Sequence, residues 1–392
     1  MSDRRLLNIY TAIWCLYELQ GVLGLTGIVA QFFLLFNVGL SFYYMVFNKY
    51  KWGPYMQVLT LFIIMLTVYG LLLIISHETI LDKDYMTADN FSYLKNIYIS
   101  LLPIFPFYYF AKKGVLTDEI IRRWVWIFLP VITVMFFYNR NVIIYEAMLE
   151  GIDMTDYTNN IGYLFLSLLP MILFFRKKMV LQYALMAYCM FFLIFGMKRG
   201  AILIGVVVIL IMVIQLTRMY SGRKSILSVL LISILIVFGV YVVHYFLTTS
   251  DFFNNRLAQT MEGDSSERDE LYSLFINHYL HNTTAFQFLF GSGALSTLKL
   301  GGQYAHNDWL ELAINQGFLG VVMYLFYWMA AYKEWSSYNR YDSRTQVLGL
   351  VFLIYFMKSW FSMSYDGMDV CSTMVLGYCL AKHKGANLSG YR

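Results

Sequence analysis

The chain is 392 residues long, 59% hydrophobic and only 14% charged, with a mean hydropathy of +0.58. A soluble domain is about 45–50% apolar and about 25% charged, so this composition excludes an ordinary soluble protein. The net charge of +5 comes without a basic run or aromatic–basic interleaving, which speaks against nucleic acid and for anionic lipid headgroups.

A helix crossing the hydrocarbon core of a bilayer needs about 20 apolar residues. In chain order such runs fall at 7–25, 28–47, 55–76, 93–110, 122–138, 160–175, 179–197, 200–217, 225–248, 314–332, 346–363 and 367–381, twelve spans in all. The first two are joined by a short turn near Thr26, and the last is short. The only prolines are Pro54, Pro103, Pro106, Pro130 and Pro170, so the spans are expected to be seldom interrupted. With the N-terminus in the cytoplasm, 20 of the 29 basic residues fall in cytoplasmic segments, and both termini are then cytoplasmic. The N-terminal apolar run is too long for a cleaved signal peptide and reads as a retained anchor. Cys15, Cys189, Cys371 and Cys379 all fall inside spans, which gives neither a disulfide framework nor a metal-ligand spacing.

This divides the chain into residues 1–248 with spans one to nine, an outer loop at 249–305, and residues 306–392 with the last three spans and a cytoplasmic tail. The cytoplasmic loops are short, and the one large loop is outside, so the chain is expected to work there. Within it, Ser266 and Asp269 have the spacing of a capping box. Apolar residues at Leu271, Tyr272, Leu274, Phe275, Ile276 and Tyr279 predict an amphipathic helix from Glu267 to His281, with Arg268 in its first turn. The apolar run 286–290 ends at Gly291-Ser292-Gly293, a tight turn.

Ionisable groups at membrane depth tend to be functional. Lys198 and Arg199 occupy an outer hairpin between two apolar runs and break the positive-inside trend. An anion such as a diphosphate would suit them, since arginine bonds phosphate oxygens bidentately and lysine adds a point charge. The alternative is a snorkelling pair at headgroup level. Arg256 and Arg268 either complete such a clamp or are solvated loop charges. His306 precedes a helical pattern whose dipole would lower an imidazole pKa, leaving a neutral general base. Asp308 and Glu311 share a helical face and are the rival bases; capping is the structural alternative for all three.

In the segment AHNDWLELAINQGFLG nine residues separate His306-Asn307 from Gly317, with Gly320 following. This arrangement resembles the signature of the O-antigen ligase and Wzy-type O-antigen polymerase superfamily. MKRGA at 197–201, SSERDELY at 265–272 and FGSG at 290–293 resemble its other motifs in order, so the resemblance covers about 197–325. It implies an all-α integral membrane protein of about 12 transmembrane helices, glycosyltransferase-C-like, with a large helical periplasmic loop between the ninth and tenth spans. It also implies undecaprenyl-diphosphate-linked glycans as donors, no cofactor and no metal, and a site facing the periplasm from the bacterial inner membrane. Matched position by position, Arg199 and Arg268 would hold the donor diphosphate, and His306 would activate the acceptor hydroxyl. Tyr304, Asn307 and Trp309 are candidate glycan contacts because they flank His306. Lys198 departs from the small residue common before the arginine, and Tyr272 stands where tryptophan is common, so the subfamily stays open.

Gly317 and Gly320 are expected to allow close packing as the chain re-enters the membrane, with 308–316 as an interfacial segment. Two activities fit: a polymerase of lipid-linked repeat units, with a chain-length regulator as a candidate partner, or a ligase onto lipid A core. Few outer cations favour the polymerase. From another class, a transporter would use in-span charges such as Glu18 and Lys358, but it should also show two related halves, and no halves repeat.

Overall fold

A computed structural model describes residues 2–76, 80–81, 87–88, 90–149, 158–176, 178–220, 223–261, 268–339 and 342–381. The described chain is predominantly α-helical. Its first half runs α1 (Asp3–Glu18), α2 (Gly27–Val46), α3 (Pro54–Ser76), α4 (Asn90–Leu101), α5 (Ile104–Lys112), α6 (Asp118–Leu149), α7 (Gly162–Ile172) and α8 (Met179–Phe195). Next come α9 (Arg199–Met219), α10 (Arg223–Thr249), α11 (Asp251–Met261), α12 (Arg268–Asn277), a π-helical turn at His278–Asn282, α13 (Ala285–Phe290) and α14 (Ser296–Gly301). Three helices close the order, α15 (Asp308–Ser336), α16 (Ser343–Phe361) and α17 (Val370–Leu380). A two-residue antiparallel pair, β1 (Ile80–Leu81) with β2 (Thr87–Ala88), lies between α3 and α4.

Where hydrocarbon replaces water, a helix is the one open-chain form that satisfies its own backbone groups. Six described helices are long and apolar enough to cross a membrane: α2, α3, α6, α9, α15 and residues 226–249 of α10. α7, α8 and α17 are shorter apolar helices. Helix lies within every predicted run, but in the first run α1 ends at Glu18 and the chain goes on in turns, and the run 93–110 is two helices. Pro103 has no N–H to continue α4, and the chain restarts as α5 at Ile104. Pro130 and Pro170, by contrast, are carried inside α6 and α7. The capping-box serine Ser266 lies outside the described residues; the amphipathic helix is present as α12, with Leu271 and Phe275 buried against Ala305 and Ile314.

Four helices run from one polar end of the bundle to another. At the first end Asp118 accepts from Tyr378 Oη and from Arg344 Nη2 at 3.5 Å, and lies 3.9 Å from Arg176. Lys113, five residues before Asp118, pairs with Asp3 at 2.6 Å. These residues belong to segments assigned to the cytoplasm by their basic residues. α1, α7, α16 and α17 lead from this end to the second, where Glu18, Asn160, Lys358 and Asp369 line one cavity. Between the ends the interior is aromatic and aliphatic, with Trp14, Tyr55, Phe62, Phe165 and Tyr324 almost fully buried.

Candidate active site

The cavity has a volume of about 410 Å³ and gathers side chains from distant parts of the chain. Lys198, Arg268 and His306 line it, together with Glu18, Lys358, Asp366 and Asp369. Apolar groups from α6 and α7, among them Met135, Leu164 and Leu166, complete its wall.

Lys198 is the N-cap residue of α9, reached through Met197 at φ 50. A non-glycine residue in the left-handed region costs about 1–3 kcal/mol and is found where the surroundings enforce it. Here the backbone of 196–197 is pinned between α7 and α9: the Gly196 carbonyl accepts from Asn159 N at 2.8 Å. Arg199 is the first residue of α9 and is half-buried; among the described residues lining the cavity, it is Lys198 of this adjacent pair that appears. Arg268 opens α12, and its Nη1 donates to the Phe361 carbonyl at 3.1 Å, tying the loop to the end of α16. Arg256 falls in α11, and its side chain lies outside the described residues.

His306 also has positive φ, 51°. The segment around it is held by the two acids that sequence alone made rival bases. Glu311 is buried and accepts from Ala305 N at 2.9 Å, Thr297 Oγ1 at 2.5 Å and Asn315 Nδ2 at 2.8 Å. Asp308, also buried, accepts from Ser364 N at 2.9 Å and from Tyr324 Oη at 2.5 Å. Both carboxyls are thus spent on pinning the backbone either side of His306. Asn307, offered as a glycan contact, is the N-cap of α15: its Oδ1 accepts from Trp309 N at 3.0 Å and Leu310 N at 3.2 Å. Trp309 packs on Tyr324 and Trp360, with ring centroids 4.9 and 5.5 Å apart, and Tyr304 packs on the main core. Neither is among the described residues that line the cavity.

The imidazole of His306 is held at about 4, below its ordinary 6.5. Burial is the largest cause, followed by the charges of Arg268 and Lys198. The expected helix dipole is not needed: His306 precedes the N-cap, and desolvation beside two cations suffices.

The glycines of the motif do more than pack. Gly317, at φ 68 and ψ −159, breaks α15. The Ile314 and Asn315 carbonyls just before the break accept from Ser292 N and Gly293 N, at 2.9 and 3.0 Å. A Cβ on Gly317 would lie 2.3 Å from Gly291 N, and one on Gly291 would lie 2.3 Å from the Asn315 carbonyl. FGSG and the broken helix are therefore two halves of one backbone crossing. The segment 308–316 is packed into the protein, with Asp308, Glu311, Asn315 and Gln316 all buried.

Four ionisable groups at the cavity, Glu18, Lys358, Asp366 and Asp369, were not among the sequence candidates for this site. Asp366 and Asp369 lie in the turn before α17, and Glu18 and Lys358 are the charges that sequence offered to a transporter. Lys358 donates to the Gly367 carbonyl at 2.6 Å and lies 5.4 Å from the Tyr163 ring centroid. The signal for them was weak but present: charges inside or between apolar runs on the outer side.

The fold and the cavity define a multi-pass helical membrane protein with an ionisable site at one end of its bundle. A family model described as O-antigen ligase matches residues 184–325, which contain Lys198, Arg268 and His306. The match bears out the resemblance to the O-antigen polymerase and ligase superfamily, whose members are glycosyltransferase-like enzymes. No curated protein and no solved structure matches the chain.

Proposed function

We propose that this protein is a polymerase that joins undecaprenyl-diphosphate-linked repeat units into O-antigen or a related surface polysaccharide, at the periplasmic face of the bacterial inner membrane. The observation that carries this reading is the meeting of Lys198, Arg268 and His306 in one cavity. Two cations hold the diphosphate of the donor and stabilise the charge that builds as it leaves. His306, neutral at physiological pH, takes the proton of the acceptor hydroxyl as that oxygen attacks the sugar C1. The C1–O bond to the diphosphate breaks, and the lipid diphosphate departs with the bonding electron pair. Binding of that anion offsets Arg268 and Lys198 and so strengthens His306 as a base at the moment it is needed. Arg199, one residue into α9, supports the clamp from behind Lys198. The chemistry calls for no metal or nucleotide sugar. Twelve spans, with the cavity at their outer ends, are the topology that goes with this reading.

A second reading, a ligase that transfers finished glycan to lipid A core, is favoured by the description of the matching family model. The two share a donor clamp and differ in the acceptor.

Reconstitution separates them. Purified protein in vesicles receives undecaprenyl-diphosphate repeat units alone, and products are run beside Lys198→Ala, Arg268→Ala and His306→Ala. A ladder that falls about 100-fold or more in the last two variants supports the polymerase. Transfer only after lipid A core is added makes it a ligase. Folded protein that transfers to neither acceptor overturns the glycosyltransferase reading.

A further inference from the structure

The cavity holds two sets of ionisable groups, and the donor clamp uses one of them. His306 is within Coulombic reach of Arg268 and Lys198. The other set is supplied by the end of α1 and by the α16–α17 turn: Glu18, Asp366 and Asp369, with Lys358 as its cation. Lys358 is within reach of Asp366 and Asp369 and is only 8% exposed. Asp369 is already engaged as the N-cap of α17, accepting from Ser372 N and Tyr355 Oη, both at 3.0 Å, and from Ser167 Oγ.

A wall with three carboxyl groups and one lysine does not suit a diphosphate. It does suit hydroxyl groups. Carboxylates accept from them, and the lysine ammonium has three donors, of which one goes to the Gly367 carbonyl. Met135, Ile354 and Met363 add apolar surface to the same cavity, against which the carbon face of a sugar ring can lie. Burial pushes the Asp366 carboxyl up to about 6, and the charge of Lys358 beside it opposes that rise. An acidic group brought there meets like charge in a partly dehydrated site.

We propose that the Asp366–Lys358 wall binds the terminal sugar of the acceptor glycan and selects an uncharged sugar over a uronic acid or a phosphorylated one. This rests on the glycosyltransferase reading above, and it makes Asp366 and Lys358 specificity-determining residues. It also gives the polymerase-or-ligase question a physical handle, because a phosphorylated acceptor surface is disfavoured next to this wall.

The test uses the full chain in vesicles with saturating native lipid-linked donor whose terminal sugar is blocked, so that it cannot itself serve as acceptor. Acceptors are the repeat unit on a decyl monophosphate, which cannot act as donors, with the terminal sugar intact or oxidised at C6 to the uronic acid. The wild type should use the intact acceptor about tenfold better in kcat/KM or more, which is about 1.4 kcal/mol. Asp366→Asn should raise the KM for the intact acceptor and shrink the preference several-fold, without changing the donor KM. Asp366→Glu should keep the preference, which separates charge from folding damage. Equal use of both acceptors by the wild type overturns the proposal, as does an Asp366→Asn effect confined to the donor KM. A native repeat unit whose terminal sugar is itself acidic overturns it outright. No transfer to either acceptor, from protein that still binds lipid-linked donor, overturns both this proposal and the reading beneath it.

Discussion

His306 is a weak base, and that is a consequence of its burial and its neighbours. Its pKa of about 4 lies below the ordinary 6.5, so protonation is lost above about 4 rather than above 6.5. In histidine-labelled protein its ring resonances should therefore not move between about pH 8 and 5. Inorganic pyrophosphate, by offsetting Arg268 and Lys198, should bring a titration into that window. Titration near 6.5 without added anion would refute the account of burial beside two cations. The pins around His306 give a second expectation. Glu311→Gln replaces one accepting oxygen by a donor, so at least one of Ala305 N, Thr297 Oγ1 and Asn315 Nδ2 loses its acceptor. A buried donor left unpaired costs about 1–3 kcal/mol. Because the loss falls on the segment that sets His306, kcat should drop about tenfold or more with KM little changed; a KM effect alone would argue against positioning.

At the scale of the element, the break in α15 is the feature that shapes the site. Gly317 combines φ 68 with a backbone neighbour where its Cβ would be. Gly317→Ala should cost about 1–3 kcal/mol in strain alone, with overpacking added. In detergent the variant should unfold at a markedly lower temperature than Gly239→Ala, whose new Cβ meets only the flexible Met190 thioether at 3.2–3.3 Å. Equal melting temperatures for the two variants would show that the crossing with Gly291 is looser than drawn. The cap at Asn307 and the break at Gly317 bracket a short buried helix. Glu311, Asn315 and Gln316 face Thr297 and Tyr93 from it, so its polar residues serve the packing rather than the water interface.

For the whole molecule, the two polar ends give the orientation a test. The four cysteines are buried, so background alkylation should be low. Asn282 and Ser336 are exposed, one in the loop before the site and one at the end of α15. A membrane-impermeant maleimide should label Asn282→Cys from the periplasm and Ser336→Cys only after the inner membrane is opened. The opposite pattern would invert the topology and remove the site from the periplasm.

Composition and apolar run length were enough to determine that this chain is a helical membrane protein, because the demand for self-satisfied backbone in hydrocarbon is local and acts on every segment alike. The His-Asn-x9-Gly-x-x-Gly pattern was likewise legible, and Arg268 and His306, singled out together from sequence, do line one cavity. What sequence could not decide is which of two neighbours faces inward. Successive residues at a helix start diverge by about 100°, so the turn through Met197 brings Lys198 to the cavity rather than Arg199. Nor could it tell a base from a pin: Asp308 and Glu311 have the chemistry of bases, and only the approach of Ser364, Tyr324, Thr297 and Ala305 makes them structural. The wall of Asp366 and Lys358 is a product of tertiary structure in the same sense. Its residues lie far along the chain from the motif, and they meet His306 only because α1, α7, α16 and α17 all end at the same cavity.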